Sequence, residues 1–430
     1  MFLPSKLDIN QYHLKRQQAF KTEAICGEQL KRLNDCWKEA VLKIDRYKNL
    51  VASGFAPGQF SSLEEYIMTV PVLSKNAIQM GGVSYTKPSA NIFRVTGGST
   101  SEPVQIPSYK SEFDLTRLDG WLGRNWWEID PGSKMFLFWG HAHLLGSGFR
   151  GRINAALRIV KDRIQRYDRI SCYNLSYSRL REVGERLLKS DSQFVVGYSH
   201  ALDALARANE DRKEDFREKR FKAIIATAES LPMKDSRTII ESTFCAPLAM
   251  EYGSVETGPL AHTAPDNLYH VFWDNYLIEY NKKSLENDVN EVIVTSLYHR
   301  CTPLFRYVLG DQIVLGCGNI QGCSLLSFSS VVGRSNLFIE QPDGRRLHSE
   351  VVSHIVRDCP KVRAYQFVCG NRRLFLDIVP NDQWSGEDEL AIRAKARKID
   401  LSLESAIEIR LVSELRKTVA GKLPMVVYVD

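Results

Sequence analysis

The sequence predicts an α/β fold with a large, multilayered amino-terminal domain and a small α+β carboxy-terminal domain. From about residue 90 to 330, short apolar runs alternate with helical stretches, a pattern typical of a sheet with largely buried strands. Near residue 333 this pattern gives way to a compact series of strand, hairpin and helix signals. The length of 430 residues, with 44% hydrophobic content, is sufficient for two or more domains.

The individual elements follow from spacing and turn chemistry. Leu30, Leu33, Trp37, Ala40 and Val41 recur at helical spacing, so we expect residues 1–70 to be a helical lead-in with one buried face. Strands are predicted at 134–139, 193–196, 221–226 and 291–295, and helices with serine caps at 175–190 and 199–217. A hairpin turn is predicted at 341–344. The predicted domains are therefore residues 1–333 and 334–430.

Composition and charge exclude several classes of protein. The net charge of +6 is small beside 57 basic and 51 acidic residues, so we expect no nucleic-acid partner. The basic stretch 150–169 has apolar residues at helical spacing and predicts an amphipathic surface helix. The most apolar run, 135–139, is too short to span a membrane. The amino terminus has no secretory pattern and the nine cysteines form no tight framework, so we expect a cytoplasmic protein.

A glycine-rich loop follows the predicted strand 91–95. It reads Thr96-Gly97-Gly98-Ser99-Thr100-Ser101-Glu102-Pro103. Adjacent glycines let successive main-chain N–H groups converge on phosphate oxygens, with hydroxyls on either side. The loop is not a Walker A motif, because it has no lysine and ends in Glu-Pro. By itself it fits either an ordinary turn or a phosphate-binding loop.

Further clusters appear in a fixed order along the chain. They are Ala226-Thr227-Ala228-Glu229, Glu251-Tyr252-Gly253-Ser254-Val255-Glu256, Pro303-Leu304-Phe305-Arg306-Tyr307-Val308-Leu309-Gly310-Asp311, Gly333-Arg334, and Gly421-Lys422. Together with the loop, this set resembles the AMP-forming, adenylate-forming ligase (ANL) superfamily, and within it the phenylacetate–CoA ligase family with its capsule-biosynthesis relatives. The resemblance covers roughly residues 65–430.

The resemblance implies ATP-dependent activation of a carboxylic acid, and the residues suit that chemistry. The loop would hold the phosphates through Thr96, Gly97, Gly98, Ser99, Thr100 and Ser101. Nucleotide contacts are also expected from Glu229, Glu251, Tyr252, Gly253, Asp311 and Arg334. Glu256 is a hard oxygen ligand for Mg²⁺, and Lys422 would neutralise charge on the α-phosphate. Lys422 and Glu256 are thus the expected catalytic residues, with Lys422 on a mobile domain.

The aromatic residues predict an acyl pocket. Phe138, Trp139, His141 and Tyr198 would line it and favour an aryl or similarly flat acid. We expect an acyl-adenylate, pyrophosphate release and transfer to coenzyme A. Two alternatives stay open: an amide-forming ligase with an amine acceptor in polysaccharide or secondary-metabolite biosynthesis, and a catalytically silent nucleotide-binding assembly protein. A homodimer is also left open.

The chain departs from the family pattern at three places. Ser101 stands where a glycine is usual and Glu102 where a lysine is frequent, and Ser335-Asn336 replaces a pair of acidic residues at the hinge. A carboxylate at position 102 would repel phosphate unless it points away. These departures leave room for the amine acceptor.

Two histidines and two cysteines raise the question of zinc. His262, His270, Cys317 and Cys323 stand near positions where many family members have metal ligands, and these residue types suit tetrahedral Zn²⁺. The two cysteines are separated by five residues, rather than forming the usual tight pair. We therefore favour ordinary buried cysteines and surface histidines, with structural zinc as the alternative.

Overall fold

A computed structural model describes most of the chain, with gaps. The described residues are 22–83, 92–95, 105–139, 148–172, 175–282, 289–316, 325–334, 338–342, 346–348, 352, 355–356, 359–399, 401–417 and 423–429. They fall into two compact units. The first comprises the described residues of Met1–Thr96, Glu102–Pro131 and Ala249–Arg334, and the second those of Gly132–Leu248 and Ser335–Asp430.

The helices are numbered in chain order. They are α1 (Thr22–Lys43), α2 (Asp45–Ala52), α3 (Leu63–Thr69), α4 (Lys75–Gln79), α5 (Lys110–Asn125), α6 (Gly148–Ile164), α7 (Tyr177–Lys189), α8 (Ser199–Ala208), α9 (Lys213–Lys219), α10 (Ser236–Phe244), α11 (Gly386–Ile399) and α12 (Leu401–Ala406). A single 3₁₀ turn, Glu210–Arg212, lies between α8 and α9.

The strands are numbered in the same way. They are β1 (Ile92–Val95), β2 (Gln105–Ser108), β3 (Met135–Phe138), β4 (Tyr167–Ile170), β5 (Phe194–Tyr198), β6 (Ile224–Thr227), β7 (Leu248–Ser254), β8 (Gly258–Thr263), β9 (Tyr269–Val271), β10 (Tyr276–Lys282), β11 (Val289–Ser296), β12 (Tyr307–Leu315), β13 (Ser327–Arg334), β14 (Phe338–Glu340), β15 (Arg346–His348), β16 (Val362–Gly370), β17 (Arg373–Pro380), β18 (Ile407–Leu411) and β19 (Val426–Tyr428).

The first unit is built on antiparallel strands in the order β10-β11-β12-β13-β9-β8-β7, with β1 and β2 forming a separate antiparallel pair. The predicted buried face of the lead-in is confirmed, because Leu33, Trp37 and Ala40 on α1 are in the core. The Trp37 ring lies 5.2 Å from Phe305, centroid to centroid. The lead-in is therefore an integral part of this unit.

The second unit contains two sheets. Its parallel strands, in the order β4-β3-β5-β6, include three that are entirely buried, as their apolar sequences predict. The other sheet has the order β18-β17-β16-β19, in which β16 and β17 are antiparallel and both outer pairs are parallel. Its core also includes Met233, which precedes α10. The predicted α/β fold class is confirmed.

The predicted domain division stays a prediction. One boundary between the compact units falls between Arg334 and Ser335, but the second unit joins residues 335–430 to residues 132–248. The strands on either side of the predicted 341–344 turn, β14 and β15, do pair antiparallel.

The predicted helix at 199–217 is wrong in its length. It is broken at Asn209, which is fully buried and donates through Nδ2 to the carbonyls of Leu180 and Leu205. A side chain that takes up main-chain carbonyls competes with helix continuation. Ser176 does stand at the N-cap position of α7, although its side chain makes no capping hydrogen bond. The second predicted cap is wrong, because the cap position of α8 is Tyr198 and Ser199 is its first residue.

The basic surface helix is confirmed as α6. Its apolar side chains are nonetheless largely exposed, with Leu157 at 62% and Ile164 at 70% of their full accessibility. Across the described part of the chain, the helices are all too short or too polar to cross a bilayer.

Candidate active site

Two predicted nucleotide residues come together in the first unit. Tyr252 on β7 donates a hydrogen bond from Oη to Oδ2 of Asp311 on β12, at 3.1 Å. Both side chains are buried, at 7% and 8% exposure. A phenol held against a carboxylate fixes the direction of both groups, so adenine and ribose contacts at these residues would be pre-oriented.

A bulge in the β7–β8 hairpin sets the position of Tyr252. Tyr252 on β7 pairs with Ala261 on β8, but the next residue, Gly253, pairs with Pro259. The register between the two strands therefore shifts by one residue between Tyr252 and Gly253. A Cβ at Gly253 would lie 2.2 Å from the Gly258 carbonyl oxygen. Only glycine fits this close approach of two backbones, and this explains the residue type in the motif.

Glu256 lies in the turn of the same hairpin. It is 6% exposed, and Tyr307 on β12 donates from Oη to its Oε1 at 3.3 Å. Tyr307 and Asp311 are four residues apart on β12. The hairpin and β12 are thus joined by two tyrosine–carboxylate pairs, Tyr252–Asp311 and Tyr307–Glu256.

The other predicted residues of this unit lie around those pairs. Arg334 is the register partner of Asp311 in the β12–β13 pair. Its contact with the nucleotide stays a prediction. Glu251 alternates with Tyr252 along β7 and forms an ion pair with Arg124 on α5, at 3.5 Å. Its expected nucleotide contact stays a prediction.

Arg306 has a structural role. Its guanidinium pairs with Glu279 at 3.0 Å and donates to the Val70 carbonyl at 2.7 Å, joining β12 to β10 and to the end of α3. Burial raises the pKa of Glu279, and the charge of Arg306 opposes that rise. Arg306 therefore stabilises the start of β12 against its neighbours in this unit.

In the second unit, the candidate residues lie at the carboxyl ends of parallel strands, where open α/β sheets bind ligands. Trp139 follows β3 and Tyr198 ends β5; their ring centroids are 4.2 Å apart. Phe138 is fully buried within β3. The predicted aromatic pair of the acyl pocket is therefore brought together.

Glu229 follows β6 and has three contacts. Nδ1 of His200 donates to Oε2 of Glu229, because a carboxylate can only accept. The Leu423 amide donates to Oε1 at 3.2 Å, and Ser199 Oγ donates to the main-chain oxygen at 2.7 Å. Leu423 is the residue after Lys422, so Glu229 holds the chain beside the predicted catalytic lysine.

The surroundings of Glu229 include an inert thiol. Burial raises the pKa of Cys172 to about 12, and the Glu229 carboxylate adds to the rise. Cys172 is thus a protonated, structural residue at neutral pH. His200 was missed by sequence reasoning, although a histidine in the first turn of a helix after a buried strand is a usable signal.

The two histidines considered for zinc are cross-strand partners in the β8–β9 pair. His262 is fully buried, its Nδ1 lies 2.8 Å from the Thr263 carbonyl oxygen, and burial lowers its pKa to about 4. His270 is partly exposed and contacts Asp266 at 2.8 Å. Within the described residues no three His, Cys, Asp or Glu side chains are grouped to hold a metal. The zinc site stays a prediction.

Several predicted residues lie outside the described ranges. They are the loop Thr96–Ser101, His141, Cys317, Cys323 and Lys422. Their assignments stay predictions.

The comparisons with known proteins find a curated relative and several solved structures that this chain is similar to. No protein-family model matches the chain. Protein CapK of Staphylococcus aureus is 24% identical over 261 residues, which are 57% of this chain and 53% of CapK. The chain therefore matches about half the length of this curated relative.

Solved structures match over more of the chain. 2-Hydroxyisobutyryl-CoA ligase, in the postadenylation state with R3-HIB-AMP, has a TM-score of 0.67 and 16% identity over 95% of this chain and 89% of its own. The chain has the ANL ligase fold. The anthranilate CoA ligase AuaEII, in complex with anthranoyl-AMP, has a TM-score of 0.51 and 13% identity over 77% of this chain and 65% of its own. At these identities the ANL likeness is one of fold, and that part of the predicted resemblance is confirmed.

Proposed function

We propose that this chain joins a carboxylic acid to the α-phosphate of ATP, releases pyrophosphate, and transfers the acyl group to coenzyme A. The observation that carries the proposal is the arrangement of two buried tyrosine–carboxylate pairs, Tyr252–Asp311 and Tyr307–Glu256, between one hairpin and β12. The ANL fold supports this proposal, because 2-hydroxyisobutyryl-CoA ligase, a protein with that fold, was solved in its postadenylation state in complex with R3-HIB-AMP.

The adenosine part of ATP would lie along β7 and β12. The Tyr252 ring offers a flat apolar face to adenine, and Asp311 can accept hydrogen bonds from ribose hydroxyls. Arg334, opposite Asp311, can donate to the same sugar.

The residues present also fit Mg²⁺. This ion keeps several waters and takes one or two carboxylates together with substrate phosphates, and Glu256 supplies one buried carboxylate. When bound, Mg²⁺ would neutralise developing charge on the phosphates. The hydrogen bond from Tyr307 fixes one oxygen of Glu256 and so orients the carboxylate.

The chemistry is an in-line displacement followed by acyl transfer. A carboxylate oxygen of the acid forms a bond to the α-phosphorus, and the bond from that phosphorus to the bridging oxygen of pyrophosphate breaks. Lys422 would neutralise charge between the two anions as they meet. The thiol of coenzyme A then loses its proton and attacks the acyl carbon, and AMP leaves. Trp139 and Tyr198 would bind a flat acyl group.

Acid-dependent pyrophosphate release tests the proposal. The wild type is assayed with a broad panel of aryl and aliphatic acids, and Lys422→Ala should lose at least about 100-fold of the release. Lys395→Ala, on α11 of the same unit, is the matched control and should keep it. If no acid triggers release by the wild type, the chain is instead a silent nucleotide-binding protein.

The acceptor is tested separately. With a productive acid, thioester formation is measured with coenzyme A alone and amide formation with a panel of amines alone. A product that forms only with an amine would replace coenzyme A by an amine acceptor, the alternative for which the departures at Ser101 and Ser335-Asn336 leave room.

A further inference from the structure

Three neighbouring parallel strands of the second unit bring aromatic and polar side chains to one edge of their sheet. The strands are β3, β5 and β6, which pair in that order. Trp139 directly follows β3, Tyr198 ends β5 with His200 two residues later, and Glu229 follows β6. Open α/β sheets bind ligands at the carboxyl ends of their strands. His200 therefore lies at the edge where a ligand of this sheet would bind.

The His200 ring is held in one orientation. Its Nδ1 donates to Oε2 of Glu229, and Oε1 of the same carboxylate accepts from the Leu423 amide at 3.2 Å. The ring centroid lies 6.0 Å from that of Tyr198, with an angle of 20° between the ring planes. The Tyr198 ring in turn lies 4.2 Å from Trp139. The imidazole thus extends the aromatic wall that is proposed to bind the acyl group.

The other ring nitrogen of His200 is a buried hydrogen-bond acceptor. His200 is 7% exposed, and among the residues that the structure describes none bonds to its Nε2. Since the proton is on Nδ1, the neutral ring has a lone pair at Nε2. A buried polar atom without a partner is unfavourable, so this position suits a ligand that brings an N–H or O–H group to it.

We propose that His200 determines the specificity of the acyl site, and that the acid activated by this chain carries a hydroxyl or amino group that donates to Nε2. The inference rests on the proposed function, and it narrows the flat acid expected from Trp139 and Tyr198 to one with a donor group. Glu229 is a positioning residue, because it keeps the proton on Nδ1. Burial favours this role over that of a general base, which must return its proton to water in each cycle.

Paired acids test the recognition directly. Pyrophosphate release is measured with benzoates, phenylacetates and short aliphatic acids that carry a hydroxyl, amino, methoxy or methyl group at each position in turn. At one position, the hydroxy or amino acid should exceed the methyl acid roughly 10- to 100-fold in kcat/KM, because a buried acceptor gains its partner. The methoxy acid, which accepts but cannot donate, should resemble the methyl acid. A preference for the methoxy acid over the hydroxy acid at every position would contradict the proposal.

Two substitutions at His200 separate recognition from a structural role. His200→Phe keeps a flat ring and removes both nitrogens. His200→Asn keeps a donor for Glu229 through its amide nitrogen and leaves nothing at the position of Nε2. In both variants the ratio of kcat/KM between the paired acids should fall to within about twofold of one. A ratio that stays at the wild-type value in either variant overturns the proposal, so the test holds even if one of them does not fold.

His299 offers a matched control in the first unit. It is also buried, at 1% exposure, and among the described residues its Nδ1 has no hydrogen-bond partner. His299→Asn should keep the wild-type ratio between the paired acids. If that ratio falls as far as in His200→Asn, it reports a general loss of structure, and the assignment to His200 is wrong.

Nitrogen NMR of protein with isotope-labelled histidine needs no turnover. The His200 signals, identified by their loss in His200→Asn, should show a protonated Nδ1 and an unprotonated Nε2. The Nε2 signal should move when a hydroxy acid is added, and not when its methyl partner is added. A protonated Nε2, or a signal that no acid moves, refutes the inference. A signal that moves in a chain that releases no pyrophosphate supports recognition of the acid and refutes the proposed function instead.

Discussion

The two candidate regions are held together in different ways. In the first unit, Tyr252 lies on β7, and Asp311 and Tyr307 lie on β12. Each strand is held by its own neighbours in the sheet, and side-chain hydrogen bonds join the β7–β8 hairpin to β12. In the second unit, the chain after Lys422 is held by two side-chain contacts, because Gln366 on β16 donates to the Pro424 carbonyl and Glu229 accepts from the Leu423 amide. In the proposed reaction, a region held by strands would suit a nucleotide that stays bound through both half-reactions. Chain held by a few hydrogen bonds would suit a group that is needed for only one of them.

The strand-built region should therefore depend on its buried contacts, and five substitutions there test that dependence. The largest effect is expected for Arg306→Met. It leaves Glu279 buried at 8% exposure without its cation, and breaking such a pair typically costs about 3–5 kcal/mol. Denaturant unfolding monitored by circular dichroism measures the loss. Arg217→Met, which removes an exposed pair with Glu214, should change little.

The pH dependence of Arg306→Met has a defined sign. Burial already raises the pKa of Glu279, and removing Arg306 raises it further. The folded variant then binds a proton at pH values where the unfolded chain has released it, so its deficit grows as the pH rises above the ordinary carboxyl range. A deficit that stays constant from pH 4 to 8 contradicts this account.

The next largest effect on stability is expected at His262, and it depends on pH. Its pKa is about 4 in the folded chain because of burial, against 6.5 for an unperturbed histidine. Between those values the unfolded chain binds a proton that the folded chain does not, so stability falls as the pH drops from 6.5 to 4. His262→Gln should remove about 3 kcal/mol of this acid destabilisation. Unfolding titrations at pH 7 and pH 4 measure it, with His270→Gln as the partly exposed control.

A smaller loss of folding free energy is expected when a methyl group is added at Gly253, in the β-bulge of the β7–β8 hairpin. Gly253→Ala places a methyl group 2.2 Å from a main-chain oxygen, which should destabilise the unit by about 1–3 kcal/mol. Gly27→Ala is a contrasting control, because nothing lies within 4 Å of a Cβ there and alanine is favoured within α1. Equal melting temperatures for Gly253→Ala and the wild type would mean that the hairpin adjusts, and the strand-built description would be wrong.

The sequence could predict local features of the fold and the site, but not the long-range contacts that orient the site residues. The buried strands, the lead-in face and the motif residues are local patterns, and they were found. The contacts that orient those residues are not local: Tyr307 meets Glu256 across 51 residues, and Leu423 meets Glu229 across 194. His200 belongs to no motif, and its contact with Glu229 follows from the pairing of β5 with β6. The break at Asn209 was missed because one side chain there overrides helix propensity.

The smallest effect tests the tyrosine–carboxylate pairs themselves. Tyr252→Phe keeps the ring for adenine and removes the hydrogen bond to Asp311, so the KM for ATP should rise about tenfold with kcat within about twofold. Tyr307→Phe frees Glu256 instead, so it should raise the Mg²⁺ concentration needed for half-maximal rate and leave the KM for ATP at saturating Mg²⁺ nearly unchanged. If both variants shift the same parameter, the two pairs act as one site, and the division between nucleotide and metal along β12 is wrong.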